Sequence, residues 1–288
     1  MPPRVAVVAD ALSSDFIFPH WYRYYGQLFG AENIFLVTYA GLSNQFRGFT
    51  LGGLVELPVG YDDQTRRRFV NSFVASLFAC YDVVVRVDVD EFLVVDPREG
   101  CTLGGYIEAM TEPYLAARGF DVVQMEGERA LGENPVEPIL SDRSFAYANS
   151  ALNKTCITKM PIAWTDGFHW ANVHPKFGPV FMLHMKRVDV DWQVGWFTKM
   201  TENIKDNPKV VQIFKDYYAP DEAKIRSFHK SVSARNRIGG GIQSWYRDNM
   251  MDEYMSRISL NAAGTYYGKY GQELNVLCEL PPEWKALI

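Results

Sequence analysis

The chain has 288 residues, 48% hydrophobic, 22% charged and 14% aromatic, with a formal net charge of −5. That much apolar surface offsets the entropy of ordering and excludes intrinsic disorder, while the acidic balance excludes a nucleic-acid binder driven by global charge. Four scattered cysteines (Cys80, Cys101, Cys156 and Cys278) lack CxxC or zinc-ribbon spacing, so reduced thiols in a cytosolic protein are expected rather than a disulfide scaffold. Apolar runs such as 83–85 and 180–183 are far short of the roughly 18–20 residues a membrane span needs. The stretch 5–8 is likewise too short for a signal peptide.

Taken in chain order, residues 4–9 form a β-branched run ending in Asp10, which predicts a buried strand. Residues 16–29 carry Ile17, Trp21, Tyr24, Tyr25 and Leu28 at helical spacing, with Asp15 as cap, Pro19 in the first turn and Gly30 as terminator. Strands are expected at 33–38 and 54–57. A helix over 62–79 is marked by the stripe Phe69, Val70, Phe73, Val74, Leu77 and Phe78, and a further strand by 81–87. This alternation predicts an α/β fold, a mostly parallel sheet covered by helices. A helix at 102–118, a strand at 120–125, a loop over 127–149 and short strands at 154–159 and 180–185 follow. From Asp191 the pattern is helical, with Trp192, Trp196, Phe197, Met200 and Ile204 on one face and further helices at 208–218 and 221–231; the glycines 239–241 read as a hinge or loop. The expected organisation is a core over 1–190 and a helical C-terminal extension over 191–288 packed on the same domain.

The most informative stretch is Asp82-Val83-Val84-Val85-Arg86-Val87-Asp88-Val89-Asp90-Glu91-Phe92. An apolar strand running into three carboxylates places them at the C-terminal edge of the sheet, where α/β folds bind ligands. Asp88 and Asp90 fall on one side of an extended chain, and a divalent cation with oxygen ligands, Mn2+ or Mg2+, is a natural neutraliser. The plainer reading is a polar turn. Three of the five histidines, His169, His174 and His184, lie within sixteen residues. His184, inside the apolar run 180–185, is either a hydrogen-bonded core residue or the nitrogen ligand that the acidic motif lacks. His169 lies in an aromatic segment suited to stacking on a sugar or base, or simply to packing. His20 and His229 read as surface or packing residues.

These blocks resemble the GT-A glycosyltransferases, specifically the family-2-like bacterial enzymes and the related domain-of-unknown-function-23 group. The likeness covers residues 4–191. It rests on the strand ending at Asp10, the helix bearing Arg67 and Asn71, and Val87-Asp88-Val89-Asp90-Glu91-Phe92-Leu93. It rests also on Asn153-Lys154-Thr155-Cys156-Ile157, Gly167-Phe168-His169 and Leu183-His184-Met185-Lys186-Arg187. The resemblance implies a GT-A-type, Rossmann-like fold and an inverting transfer from a nucleotide-diphosphate sugar donor to a glycan or lipid-linked acceptor, in bacterial surface polysaccharide synthesis. Asp10 would sit near the base, and Arg67 and Asn71 would hold the nucleotide. Asp88 would contact the ribose or the metal through water. Asp90 and His184 would bind Mn2+ or Mg2+ at the diphosphate, and Lys154 would add a cation to the leaving group or stand as a surface lysine. For the base that takes the acceptor proton, Asp166 leads, with Glu126 and Glu128 as alternatives. Trp164, His169 and Trp170 would shape the acceptor side. The turn Thr38-Tyr39-Ala40-Gly41 departs from relatives that carry an acid and an Asn-Ser turn there. No nucleic-acid partner and no transmembrane segment are expected. The protein would be cytoplasmic, a peripheral position at the inner face of the membrane being compatible. Two alternatives compete: a sugar-nucleotide nucleotidyltransferase, which would want a Gly-rich basic loop where 10–15 has none, and a non-catalytic carbohydrate-binding module of the same fold.

Overall fold

The computed structural model describes residues 1–14, 16–131, 137–204, 222–238, 241–242, 251–268 and 276–288. The proposed cap Asp15, the helix expected at 208–218 and most of the 239–241 hinge lie outside the described residues.

The amino-terminal half alternates as its sequence predicts. Strand β1 (Val5–Asp10), helix α1 (Ile17–Phe29), β2 (Ile34–Tyr39), β3 (Gly53–Leu57), α2 (Asp63–Leu77) and β4 (Val83–Arg86) follow one another. The four strands pair in parallel in the order β3-β2-β1-β4. Strand side chains alternate between faces. Val5, Val7 and Ala9 therefore meet Ile17, Trp21 and Tyr25 of α1 in one apolar cluster, while Ala6 and Val8 meet Val70, Val74 and Leu77 of α2 in another. The same alternation sends Asp10 and Arg86 out on the α2 face. At the start of α2 the Asp62 carboxylate accepts from the Thr65 N–H, an N-cap of the usual kind.

After β4 come β5 (Glu91–Val95), α3 (Leu103–Ala109), β6 (Tyr114–Val123), β7 (Phe145–Ala148), β8 (Thr155–Thr158) and β9 (Phe177–Arg187). Here the sheet is mixed. β8 runs antiparallel to β4 and β6, β7 antiparallel to β6, and β9 is parallel to β6 but antiparallel to β5. The helix expected over 102–118 stops at Ala109, and 114–118 is strand. Pro113 cannot continue a helix, and pairing of β6 on both edges overrides the helix propensity of Leu115, Ala116 and Ala117. β7 likewise emerges from the segment read as a loop.

The carboxy-terminal part contains α4 (Val190–Ile204), α5 (Glu222–Ser233), α6 (Met251–Ser256) and α7 (Pro282–Lys285), together with strands β10 (Asn236–Ile238), β11 (Ser259–Leu260), β12 (Tyr266–Tyr267) and β13 (Val276–Glu279). It is thus more than a helical extension: β13 pairs with β7, and β10 with β13, so the tail continues the main sheet. Trp284 is fully buried against Phe181, its indole N–H donating to the Val95 carbonyl. Among the described residues no helix is long and apolar enough to cross a membrane. All four cysteines are free thiols, Cys156 and Cys278 buried, Cys80 and Cys101 exposed.

One close approach positions the site. The turn 149–153 lies on β6 at Gly119, whose N–H donates to Asn153 Oδ1 at 2.8 Å. A Cβ at Gly119 would fall 2.1 Å from Leu152 Cβ and 2.7 Å from its carbonyl carbon. Gly119→Ala is therefore expected to destabilise the fold by about 1–3 kcal/mol, the usual range for overpacking, read as a lowered urea midpoint. An unchanged midpoint would show that the turn yields freely.

Candidate functional site

At the carboxyl ends of β1 and β4 three carboxylates and three cations interlock. Arg66, four residues before Val70 and eight before Val74, shares their buried stripe and reaches both Asp10 Oδ1 and Asp88 Oδ1 at 2.7 Å. Arg86 meets the same two atoms at 2.7 and 2.8 Å. Lys154 closes the group, with Nζ 3.1 Å from Asp88 Oδ2 and 2.5 Å from Glu91 Oε1. The other oxygen of Glu91 accepts the Asp88 backbone N–H, folding the turn between β4 and β5. Burial alone would push Asp88 up, but Arg86, Lys154 and Arg66 hold its carboxyl well below the usual range. For Asp10 burial prevails and its pKa is raised against the pull of Arg66. Lys154 is raised against burial by Asp88 and Glu91.

Phe168 roofs this network. Its ring lies 3.7 Å from the Arg86 guanidinium carbon and 4.6 Å from that of Arg66. Gly167 and Phe168 both have left-handed backbone, φ 69° and 59°. That conformation is costly for a phenylalanine, and the stacking over two guanidinium groups offsets it.

Beside the network stands a histidine clasped by two acids. His184 Nδ1 lies 2.6 Å from Asp121 Oδ1, and Nε2 lies 3.2 Å from Asp90 Oδ2. Burial disfavours charge on His184, yet Asp90 and Asp121 together raise it to about 10. Asp90 and Asp121 are lowered in turn, His184 outweighing their burial. Asp121 is further fixed by the Asn149 side-chain amide at 2.7 Å. As it stands the ring is an imidazolium that donates from Nδ1 to Asp121 and from Nε2 to Asp90; a metal ion would have to displace the Nε2 proton, with Asp121 then the outer partner of a metal-ligating histidine.

Asp90 and His184 thus fit a divalent cation. Asp88 does not: both its oxygens are held by cationic side chains. Among the described residues no three His, Cys, Asp or Glu side chains converge as a ligand set. Of the expected trio Asp88, Asp90 and His184, Asp88 is taken up by the network, which leaves Asp90 and His184 as the side chains a cation could meet.

The remaining expected residues divide. Lys154 belongs to the network and is no surface lysine. Arg67 points away from it and pairs with Asp166 at 2.6 Å. Asn71 donates to and accepts from the Trp164 backbone, and Trp164 is buried with its indole N–H on the Thr155 carbonyl. Both hold the 164–171 segment onto α2, so neither is available to nucleotide or acceptor. Trp170 is buried too, stacked on Tyr254 with rings 11° apart. His169 is held by the Ala151 carbonyl at 2.6 Å, and burial and Lys154 push it down to about 4, so it is neutral near pH 7. Glu128 accepts from the Met125 and Ser144 N–H groups and staples its loop, which removes it as a base. Glu126 is exposed. His20 and His229 are buried, the latter bonded to Gln124 and Gln193, and both act in packing rather than at the surface.

Arg66, Arg86, Glu91 and Asp121 were not among the expected site residues. The signals for three of them are a charge on the buried stripe of a helix and charges within the apolar runs 83–87 and 120–123.

No family model matches the chain, and no curated protein matches it. Solved structures similar to it include a mannose-1-phosphate geranyltransferase from Thermus thermophilus, with 11% identity, 79% of this chain and 68% of that chain covered, and a TM-score of 0.30. Another is a cytidylyltransferase from Leptospira borgpetersenii serovar Hardjo-bovis (strain JB197), with 11% identity, 44% and 57% covered, and a TM-score of 0.25. Likeness this loose carries nothing over to the site, which has to be read from its own residues.

Proposed function

We propose that the protein is a glycosyltransferase that takes a sugar from a nucleotide-diphosphate donor and passes it to a hydroxyl of a glycan or lipid-linked acceptor. The observation that carries this reading is His184, oriented by Asp121 and facing Asp90, at the sheet edge beside the Asp10–Arg66–Arg86–Asp88–Lys154 network. A divalent cation, Mn2+ or Mg2+, bound by Asp90 and His184 would supply Lewis-acid stabilisation of a departing diphosphate. The chain's own residues do the rest. Asp121 fixes the ring of His184, and Lys154 holds positive charge within reach of the same edge. Arg66 and Arg86 keep Asp88 ionised and immobile, so that the turn bearing Asp90 is set before substrate arrives. Asp166 is kept as the base toward the acceptor: its carboxylate is paired with Arg67 at 2.6 Å and would have to leave that pair to act, while its segment, through Phe168, packs on the network.

Turnover with a panel of nucleotide-diphosphate sugars and Mn2+ tests the reading. Release of nucleoside diphosphate from at least one donor is expected. Pyrophosphate release from a nucleoside triphosphate and a sugar 1-phosphate, without donor breakdown, would instead assign a nucleotidyltransferase. Sugar binding with neither reaction would leave a carbohydrate-binding module.

A further inference from the structure

Three arginines lie together over a patch of aromatic rings. Arg187, the last residue of β9, places its guanidinium carbon 3.7 Å from the centroid of the Phe228 ring on α5 and 5.9 Å from that of Tyr147 on β7. Arg235, just beyond α5, straddles the same two rings at 5.6 and 5.0 Å. Arg237 on β10 lies 4.8 Å from the Phe145 ring. Among the described residues Arg187 Nε and one Nη of Arg235 are buried with no acceptor. Arg66, Arg86 and Arg143 also leave one nitrogen each without an acceptor, but each has a carboxylate within 4 Å; among the described residues none lies that close to Arg187, Arg235 or Arg237, Asp121 interacting with Arg187 only from farther off. Aromatic stacking holds a guanidinium in place but takes none of its hydrogen bonds, and two like charges over one pair of rings repel. An oxyanion would resolve both.

The cluster lies beside the site described above. Tyr147 is the cross-strand partner of Asp121, and Asp121 that of His184. The three side chains therefore leave one face of the sheet, with Tyr147 two strand spacings, about 10 Å, from His184. Asp121 stands between them on the middle strand.

We propose that Arg187 and Arg235, with Arg237 at the rim, bind a phosphate group carried by the acceptor. A phosphate has oxygens enough to meet two guanidinium forks bidentately, whereas a carboxylate has only two oxygens to share between them. That the phosphate belongs to an acceptor rests on the transferase reading; the anion site rests on the arginines alone.

The test uses the full chain with Mn2+ and a saturating nucleoside diphosphate, titrated calorimetrically with inorganic phosphate and then with glucuronate. Phosphate binding is expected, weakened at least tenfold by Arg187→Gln and by Arg235→Gln, with Arg187→Lys between wild type and Arg187→Gln. Nucleoside diphosphate affinity should be the same in all four proteins. Phosphate affinity that ignores both glutamine variants, or glucuronate binding tighter than phosphate, would overturn the proposal. If a variant has a lowered melting temperature, the remaining two decide. Arginine-dependent phosphate binding in a protein that takes no nucleoside diphosphate would sink the transferase reading and leave the anion site standing. The converse result would sink the anion site alone.

Discussion

Replacing Arg86 with methionine is expected to lower the unfolding free energy by about 3–5 kcal/mol, the range for breaking a buried ion pair from one side. Arg86 is 2% exposed and is bonded to Asp10 and Asp88 at 2.7 and 2.8 Å. Without it, Asp10 is left with Arg66 alone, which it shares with the partly exposed Asp88, and burial already presses Asp10 toward its neutral form. The Arg67→Met change is the control. Arg67 and Asp166 have side chains 33% and 54% exposed, where water screens the pair and the loss should stay within about 1 kcal/mol. Urea midpoints of the two variants check the contrast. Equal losses would mean that the network does not hold the ends of β1 and β4 together.

The second large effect is at Asp90. Asp90→Asn is expected to reduce Mn2+-dependent nucleoside diphosphate binding on the order of 100-fold or more, while Asp121→Asn, which only disorients His184, should cost about 10–100-fold. Asp90 also keeps His184 charged, so the asparagine variant should unfold at a lower urea midpoint near pH 7, and its binding is read where it is fully folded. An asparagine variant that binds as wild type does would remove Asp90 from the site.

The legible part of this protein is what short-range pattern controls. Alternation along 5–10 and 83–87, and the 3.6-residue stripe of α2, place three acids and their strand at the correct edge. His184 could be weighed as a partner because an apolar strand around an imidazole is itself a local signal. What escaped depends on pairings with no local trace. Asp121 meets His184 only because β6 and β9 lie parallel across sixty-three residues, and Arg86 meets Arg66 only because α2 crosses β1. The family likeness points to Arg67, whereas the stripe through Val70 and Val74 selects Arg66. Asn71 and Trp164 have the residue types of a binding site, yet they bond each other and leave nothing over for a ligand. The strand at 114–118 shows propensity losing to Pro113 and to two-sided pairing.

In the proposed function Asp90 and His184 share a cation through which a diphosphate is held. Calorimetric titration of the wild-type chain with nucleoside diphosphates, once in Mn2+ and once in EDTA, addresses it most directly. Binding is expected in Mn2+ and should disappear in EDTA. Equal affinity in both would contradict it.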